Sequence, residues 1–198
     1  MQDHFKDRAA TWDKGSTRVN GALTIAKAIE KKIDLKNTME IMDFGVGTGL
    51  LGFEIAKKVK KIYGVDTSKN MIDKLNEKNT SALHVEGICQ DIIKNPLDKN
   101  FDGLVSSMTL HHIENLKLFF TTIYKNIKDN GFIAIADLES EDGTFHSNNT
   151  GVFHFGFDID KLKTIVVDCG FKSVEIRNIN TINKPHMDFG VFLLTAFK

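Results

Sequence analysis

The residues best placed to do chemistry stand in one short run, Asp43-Phe44-Gly45-Val46-Gly47-Thr48-Gly49, with a second carboxylate, Asp66, roughly 20 residues further on. Glycines admit positive φ and let the backbone approach a ligand that a Cβ would exclude, and a helix opening behind them presents unpaired N–H groups. A plain strand-to-helix turn is the competing reading, but such a turn rarely needs three glycines within five residues. The same stretch contains Gly47-x-Gly49-x-x-Gly52, the dinucleotide fingerprint. A carboxylate at Asp66 can accept both hydroxyls of an adenosine ribose, a need that NAD and S-adenosylmethionine share, so the loop alone leaves the ligand open.

Three further features separate the two ligands. Asp43 puts an acid beside the loop, where it repels a pyrophosphate but tolerates or orients an ammonium or sulfonium group. Gln90-Asp91-Ile92 follows the third strand, where the Asp91 carboxylate can accept an adenine amino group. The run from Phe101 to Ile113 ends its strand in Ser106-Ser107, small residues that leave room and carbonyls for an amino-acid moiety. Together these favour the sulfonium nucleoside.

Acid–base candidates come from the seven histidines. His111 and His112 follow the fourth strand, and because adjacent residues diverge, at most one is expected to face a pocket. His111 is the catalytic candidate, with helix capping or packing as the alternative. A second group follows the fifth strand: Asp137, Glu139, Glu141, Asp142 and His146, with His154 beyond. Its alternating acids suggest a calcium loop, but Gly143 falls one place late and Asn148 stands where the closing Glu belongs, so no metal is expected. Phe145, Phe153, Phe155 and Phe157 make this segment too apolar for an ordinary exposed loop and mark it as a substrate wall or lid, with core packing as the competing reading.

Positioning these groups requires alternating elements. Short β-rich runs at 40–44, 61–65, 82–87, 101–106, 132–137, 173–179 and 189–197 take turns with helical spacing at 48–59, 68–79, 116–128 and 158–169. Gly131 and Gly170 stand where helix ends need a left-handed residue. The pattern predicts an α/β, Rossmann-like doubly wound sheet of seven strands, mostly parallel. A short polar link from Asn178 to Asp188 predicts an antiparallel last strand. Ahead of the sheet, Val19–Ile33 carries apolar residues at helical spacing. With two prolines and no linker or repeat, residues 1–198 are expected to form a single domain, 1–38 being an amino-terminal helical cap or lid and 39–198 the core.

Composition sets the exclusions. In 198 residues, 26 Lys and Arg balance 26 Asp and Glu, and the longest basic runs are Lys31-Lys32 and the broken set Lys57, Lys58, Lys60, Lys61, which argues against nucleic acid as partner. Two distant cysteines give neither a disulfide framework nor a zinc spacing. No run approaches the ~18 apolar residues of a membrane span, and the start lacks an apolar signal segment, so a cytoplasmic protein is expected.

Asp43-x-Gly45-x-Gly47-x-Gly49, Asp66, Gln90-Asp91, Leu110-His111-His112-Ile113, Asn130-Gly131-Phe132 and Phe5-x-x-x-Ala9-x-x-Trp12-Asp13 together resemble class I S-adenosylmethionine-dependent methyltransferases, in particular the small-molecule branch that includes the ubiquinone and menaquinone biosynthesis enzymes. The resemblance spans nearly the whole chain. It implies a cofactor across the carboxyl ends of the first four strands, with Gly45, Gly47 and Gly49 beneath it and Asp66 on its ribose. It further implies Thr67 and Met71 beside the adenosine, Asp91 and Ile92 at adenine, the Ser107 carbonyl on the methionine amine, and Phe5 with Trp12 closing a lid. The implied reaction is methyl transfer to a small-molecule acceptor, leaving S-adenosylhomocysteine. A non-catalytic binding subunit or a protein methyltransferase is the alternative. Asn130-Gly131 departs from the family's usual Pro-Gly or Gly-Gly turn.

Overall fold

The computed structural model describes residues 9–198. Seven strands, β1 (Glu40–Phe44), β2 (Lys61–Asp66), β3 (Val85–Cys89), β4 (Phe101–Ser107), β5 (Ile127–Leu138), β6 (Lys172–Asn183) and β7 (Asp188–Phe197), form one sheet in the order β3-β2-β1-β4-β5-β7-β6. Strands β1 to β5 pair in parallel, and β7 runs antiparallel to both β5 and β6. Five helices, α1 (Ser16–Lys32), α2 (Leu50–Ala56), α3 (Lys69–Lys78), α4 (Leu116–Asn126) and α5 (Ile159–Asp168), cover its faces. The predicted fold class is the observed one.

Alternation along the strands divides the core, since successive side chains leave a strand on opposite faces. Ile41, Val105, Ala134 and Ala136 pack with α1 and α2 through Ile29, Leu51 and Ile55. Met42, Leu104, Ile133 and Ile135 pack on the other face with Phe119, Phe120, Leu162 and Val166. A sheet buried on both faces is the usual setting of parallel strands. Because β1 lies between β2 and β4, the strand order reverses there, and the crevice above the carboxyl ends of β1 and β4 is where such sheets bind ligands.

Several boundaries differ from the sequence expectation, each for a local reason. The third strand starts at Val85 rather than Ala82, after His84 turns left-handed (φ 40). Helix α4 ends at Asn126, and the left-handed residue of the turn before Phe132 is Asn130 (φ 63), not Gly131. Gly131 is needed for space instead, because a Cβ there would sit 2.8 Å from the Asp102 carbonyl oxygen. Gly170 does carry the positive φ (101) expected of it. The last hairpin is tighter than the proposed link, β6 continuing to Asn183, which pairs with Asp188. Among the described residues no helix is long and apolar enough to cross a membrane.

Candidate functional site

The glycine loop leaves the end of β1 with its backbone anchored to β2, the Gly45 and Val46 N–H groups donating to the Val65 carbonyl at 2.8 and 3.0 Å. Gly45, Gly47 and Gly49 all adopt positive φ (68, 54 and 88), a conformation glycine takes without the strain a side chain would bring. Their surroundings differ. A Cβ at Gly45 would stand 2.2 Å from Thr109 Cγ2 and one at Gly49 2.7 Å from the Phe53 ring, whereas nothing lies within 4 Å of the Cβ position of Gly47. Gly45 and Gly49 are therefore glycines for packing, and Gly47 faces open space.

Two carboxylates flank the loop. Asp66 Oδ2 accepts from the Gly47 N–H at 2.9 Å and Oδ1 from the Ser68 N–H at 2.8 Å, which ties the loop to the end of β2. Asp43 lies beneath the loop, 1% exposed, and its Oδ2 has no hydrogen-bond partner. Burial holds its carboxyl well above the usual range, the charge of Asp66 adding to the effect and the Gly52 N–H pulling the other way. An orphaned buried carboxylate oxygen and an open backbone cradle fit a ligand that carries both positive charge and hydrogen-bonding groups.

The remaining cofactor candidates surround this loop unevenly. Ser68 caps α3 and turns Met71 inward, where it is buried, while Thr67 is exposed and its carbonyl faces Cys89 Sγ at 3.8 Å. Gln90 donates its N–H to the Asp66 carbonyl, placing Asp91 one residue beyond, and the Asp91 carboxylate takes the Ile93 and Lys94 N–H groups and the Lys94 ammonium. Ile92 is buried among Val65, Phe101 and Leu104. The Ser107 carbonyl accepts from the Thr109 hydroxyl at 3.1 Å, and the same hydroxyl reaches the Gly45 carbonyl at 3.4 Å. Left-handed Met108 (φ 55), its N–H on the Ala136 carbonyl, makes the bend that brings Thr109 under the loop.

The amino-terminal segment reaches the same place by a route not anticipated from sequence. Thr48 donates to Asp13 at 2.5 Å, and Lys78 of α3 bonds both Asp13 and the Thr48 carbonyl. Trp12 stacks under the Arg18 guanidinium, 4.3 Å from its centroid. Phe5 lies outside the described residues. The adjacency of Trp12 and Asp13 was the available signal for this latch; nothing in the sequence pointed to Lys78.

Past β4 and β5 the histidines gather. His111, 1% exposed, has Nδ1 2.7 Å from Oδ1 of fully buried Asp137, whose Oδ2 accepts the His111 backbone N–H at 3.2 Å. Across from it, His146 Nε2 lies 3.1 Å from His111 Nε2. The expectation that His111 and His112 diverge is corrected: their rings are 4.2 Å apart, because a 3-10 turn (Leu110–His112) carries both over the same edge, and His112 Nδ1 meets the Gly151 carbonyl. Burial first, then His111, His112 and Lys184, push the His146 imidazole down to about 4. His154 points elsewhere, its Nε2 on the Ile113 carbonyl at 2.9 Å.

Its acidic neighbours are structural. Glu141 Oε2 accepts the N–H groups of Gly143, Thr144 and Phe145, and Asp142 holds Thr144, so both carboxylates are committed to the turn. Glu139 takes Asn178. Among the described residues no group of three or more His, Cys, Asp or Glu is arranged to hold a metal. The four phenylalanines divide: Phe157 is buried and Phe145 packs edge-on against Phe189, while Phe153 and Phe155 are 53% and 47% exposed. Lys184, which sequence reasoning missed, bridges the hairpin to this loop by donating to the Phe145 carbonyl over that residue's ring. One cavity at the amino-terminal ends of β1, β4 and β5 and another between α1 and the β6–β7 hairpin both lie away from this edge.

A doubly wound sheet with a left-handed glycine loop, an acid beneath it and a carboxylate closing the next strand defines a nucleoside-binding Rossmann-like protein. A family model described as "Methyltransferase domain" matches residues 42–135. The uncharacterized methyltransferase C1347.09 of Schizosaccharomyces pombe is 31% identical over 174 residues, 79% of this chain and 60% of that protein. The ubiquinone biosynthesis O-methyltransferase of Coxiella burnetii is 33% identical over 145 residues, 63% of this chain and 62% of that one. The chain thus spans about 60% of the length of these relatives. A solved Haemonchus contortus phosphoethanolamine N-methyltransferase 2 in complex with S-adenosyl-L-methionine superposes with a TM-score of 0.72 at 17% identity, over 100% of this chain and 60% of that one. The methyltransferase-domain match, these relatives and the superposed fold support a class I S-adenosylmethionine-dependent methyltransferase, a class whose cofactor is S-adenosylmethionine.

Proposed function

We propose that this protein transfers a methyl group from S-adenosylmethionine to a small-molecule acceptor, the observation that carries the reading being the open, left-handed Gly47 tied to Asp66. When bound, that cofactor supplies a methyl carbon already activated by a positive sulfur, so the protein has mainly to align the partners and exclude water. The loop glycines let the backbone pass beneath the nucleoside, and Asp66, positioned by the Gly47 and Ser68 N–H groups, is the acceptor for ribose hydroxyls. Buried Asp43 offers its orphaned Oδ2, and a cationic ligand beside it favours the charged form that burial alone disfavours. Thr67 and Met71 flank the adenosine, Asp91 and Ile92 meet adenine, the Ser107 carbonyl takes the amine, and Trp12 with the Asp13 latch covers the entrance.

A small acceptor is supported by the charge balance of the chain, by exposed Phe153 and Phe155 beside the histidines, and by the small molecules named in the ubiquinone and phosphoethanolamine relatives. Calorimetry with S-adenosylmethionine, S-adenosylhomocysteine and NAD, followed by transfer of labelled methyl into a host metabolite extract with Asp66→Ala as control, tests it. Label is expected in the small-molecule fraction. Label confined to macromolecules, or preference for NAD, would overturn the reading.

A further inference from the structure

We infer that Asp137, His111 and His146 form a proton relay that deprotonates the methyl acceptor, which makes the acceptor one that carries a removable proton on the methylated atom, an O–H, N–H or acidic C–H. The inference rests on the proposed methyl transfer and deepens it.

The order of the chain follows from what each atom can do. A carboxylate only accepts, so His111 carries its hydrogen on Nδ1 and points it at Asp137. Its Nε2 then holds a lone pair, and the facing Nε2 of His146 must be the donor across the 3.1 Å gap. That leaves the lone pair of His146 on Nδ1. His111 is buried while His146 is half-buried, so the outer ring is the one a small molecule can meet. As the X–H proton passes to His146 Nδ1, the Nε2 proton of His146 passes to His111 Nε2. The electron pair left on X forms the bond to the methyl carbon while the methyl–sulfur bond breaks.

The relay answers a difficulty that a lone base would meet. Half-buried and faced by His111, His112 and Lys184, with Asp137 pulling the other way, His146 is a poor resting place for a proton near neutrality. Handing the proton inward moves it to a ring whose Nδ1 lies 2.7 Å from a fully buried carboxylate oxygen. Asp137 is held for that purpose by the Leu138 and His111 N–H groups as well. Thr109, two residues before His111 and just after left-handed Met108, links the assembly to the glycine loop through its hydroxyl on the Gly45 carbonyl.

Two measurements test it. Nitrogen-15 NMR of histidine-labelled protein should show His111 protonated on Nδ1 and His146 on Nε2 near neutral pH; either tautomer reversed breaks the chain and overturns the relay. Transfer of labelled methyl from S-adenosylmethionine into the small-molecule fraction of a host extract should fall about 100-fold in His146→Gln at pH 7, within the range general base catalysis contributes. That loss should shrink about tenfold per pH unit toward pH 9, as the acceptor ionises unaided. An equal loss at every pH would mean a structural role and overturn the relay. Calorimetry with S-adenosylhomocysteine separates the two levels: His146→Gln should bind it as the parent does, while absence of binding to the parent protein would sink the methyl-transfer reading itself.

Discussion

The carboxyl edge of the sheet is built in two ways on its two sides. From β1 to β3 the site is made of backbone: N–H groups of a left-handed loop held by Asp66 and the Val65 carbonyl, with an orphaned carboxylate oxygen of Asp43 below. From β4 to β7 it is made of side chains, His111 on Asp137, His146 on His111 and Lys184 on the 145 carbonyl, each contact joining loops far apart in the chain. The first side holds a shape that many proteins share because backbone geometry is generic. The second depends on which side chains stand at a few positions, and in the proposed reading it is the side that meets the acceptor.

Substitutions at the glycines should split the first side most sharply. Gly47→Val places a branched side chain in open space at positive φ, costing about 1–2 kcal/mol of strain, so the protein should fold. The side chain would occupy the cradle, and S-adenosylhomocysteine affinity should fall about 100-fold or more, about 3 kcal/mol by calorimetry. Gly45→Ala should do the reverse of this pattern: its Cβ meets Thr109 within 2.2 Å, and overpacking of about 1–3 kcal/mol added to the strain should lower the melting temperature by about 10 °C. Equal melting temperatures for the two variants would erase the distinction between packing and ligand glycines.

Asp43→Asn should stabilise the ligand-free protein while weakening cofactor binding. The folded carboxyl titrates above its unfolded value, so the folded state resists ionisation and carries a penalty that is complete above the folded pKa. On acidification the folded state takes the proton first, and the penalty disappears toward pH 4. The variant lacks this term, so its melting temperature at pH 7 should exceed that of the parent by a few degrees, about 1–3 kcal/mol, and the gap should close in acid. A gap that widens in acid would mean that Asp43 is partnered. On the acceptor side the sign is opposite. His146 is neutral in the fold down to about 4, so its contribution is full above 6.5 and is lost as pH falls from 6.5 to 4. His146→Gln should show a shallower acid loss of stability in that window by chemical denaturation.

How much of this was legible follows the same division. The glycine spacing, Asp43 and Asp66 could be read because the chain writes a strand, a turn and a helix in a dozen consecutive residues, and the parallel sheet follows from alternation of periods. Asn130 took the left-handed position expected of Gly131 because asparagine tolerates that region and the glycine was needed against the Asp102 carbonyl. The pairing of His111 with Asp137 was invisible, since it depends on β4 and β5 being neighbours in register, Ser107 opposite Ala136. Lys184 and Lys78 left no signal at all, because an ordinary surface lysine and one that bridges two loops have the same sequence context.

Lys184 also supplies the finest test of the contrast. Its ammonium sits over the Phe145 and Phe189 rings, and burial lowers its own pKa against the opposing charge of Glu141. The same ammonium helps hold His146 neutral, although burial is the larger cause. Lys184→Met keeps the apolar cover and removes the charge, so His146 should titrate higher by less than about one unit, still well below 6.5, since an interaction across a partly solvated edge is screened. Imidazole NMR across pH 3–7 reads this directly. No movement would assign the depressed value to burial and the neighbouring histidines and make Lys184 a clamp on the Phe145 carbonyl. A rise to the ordinary value would make the acceptor side as much an electrostatic construction as the loop above Asp43.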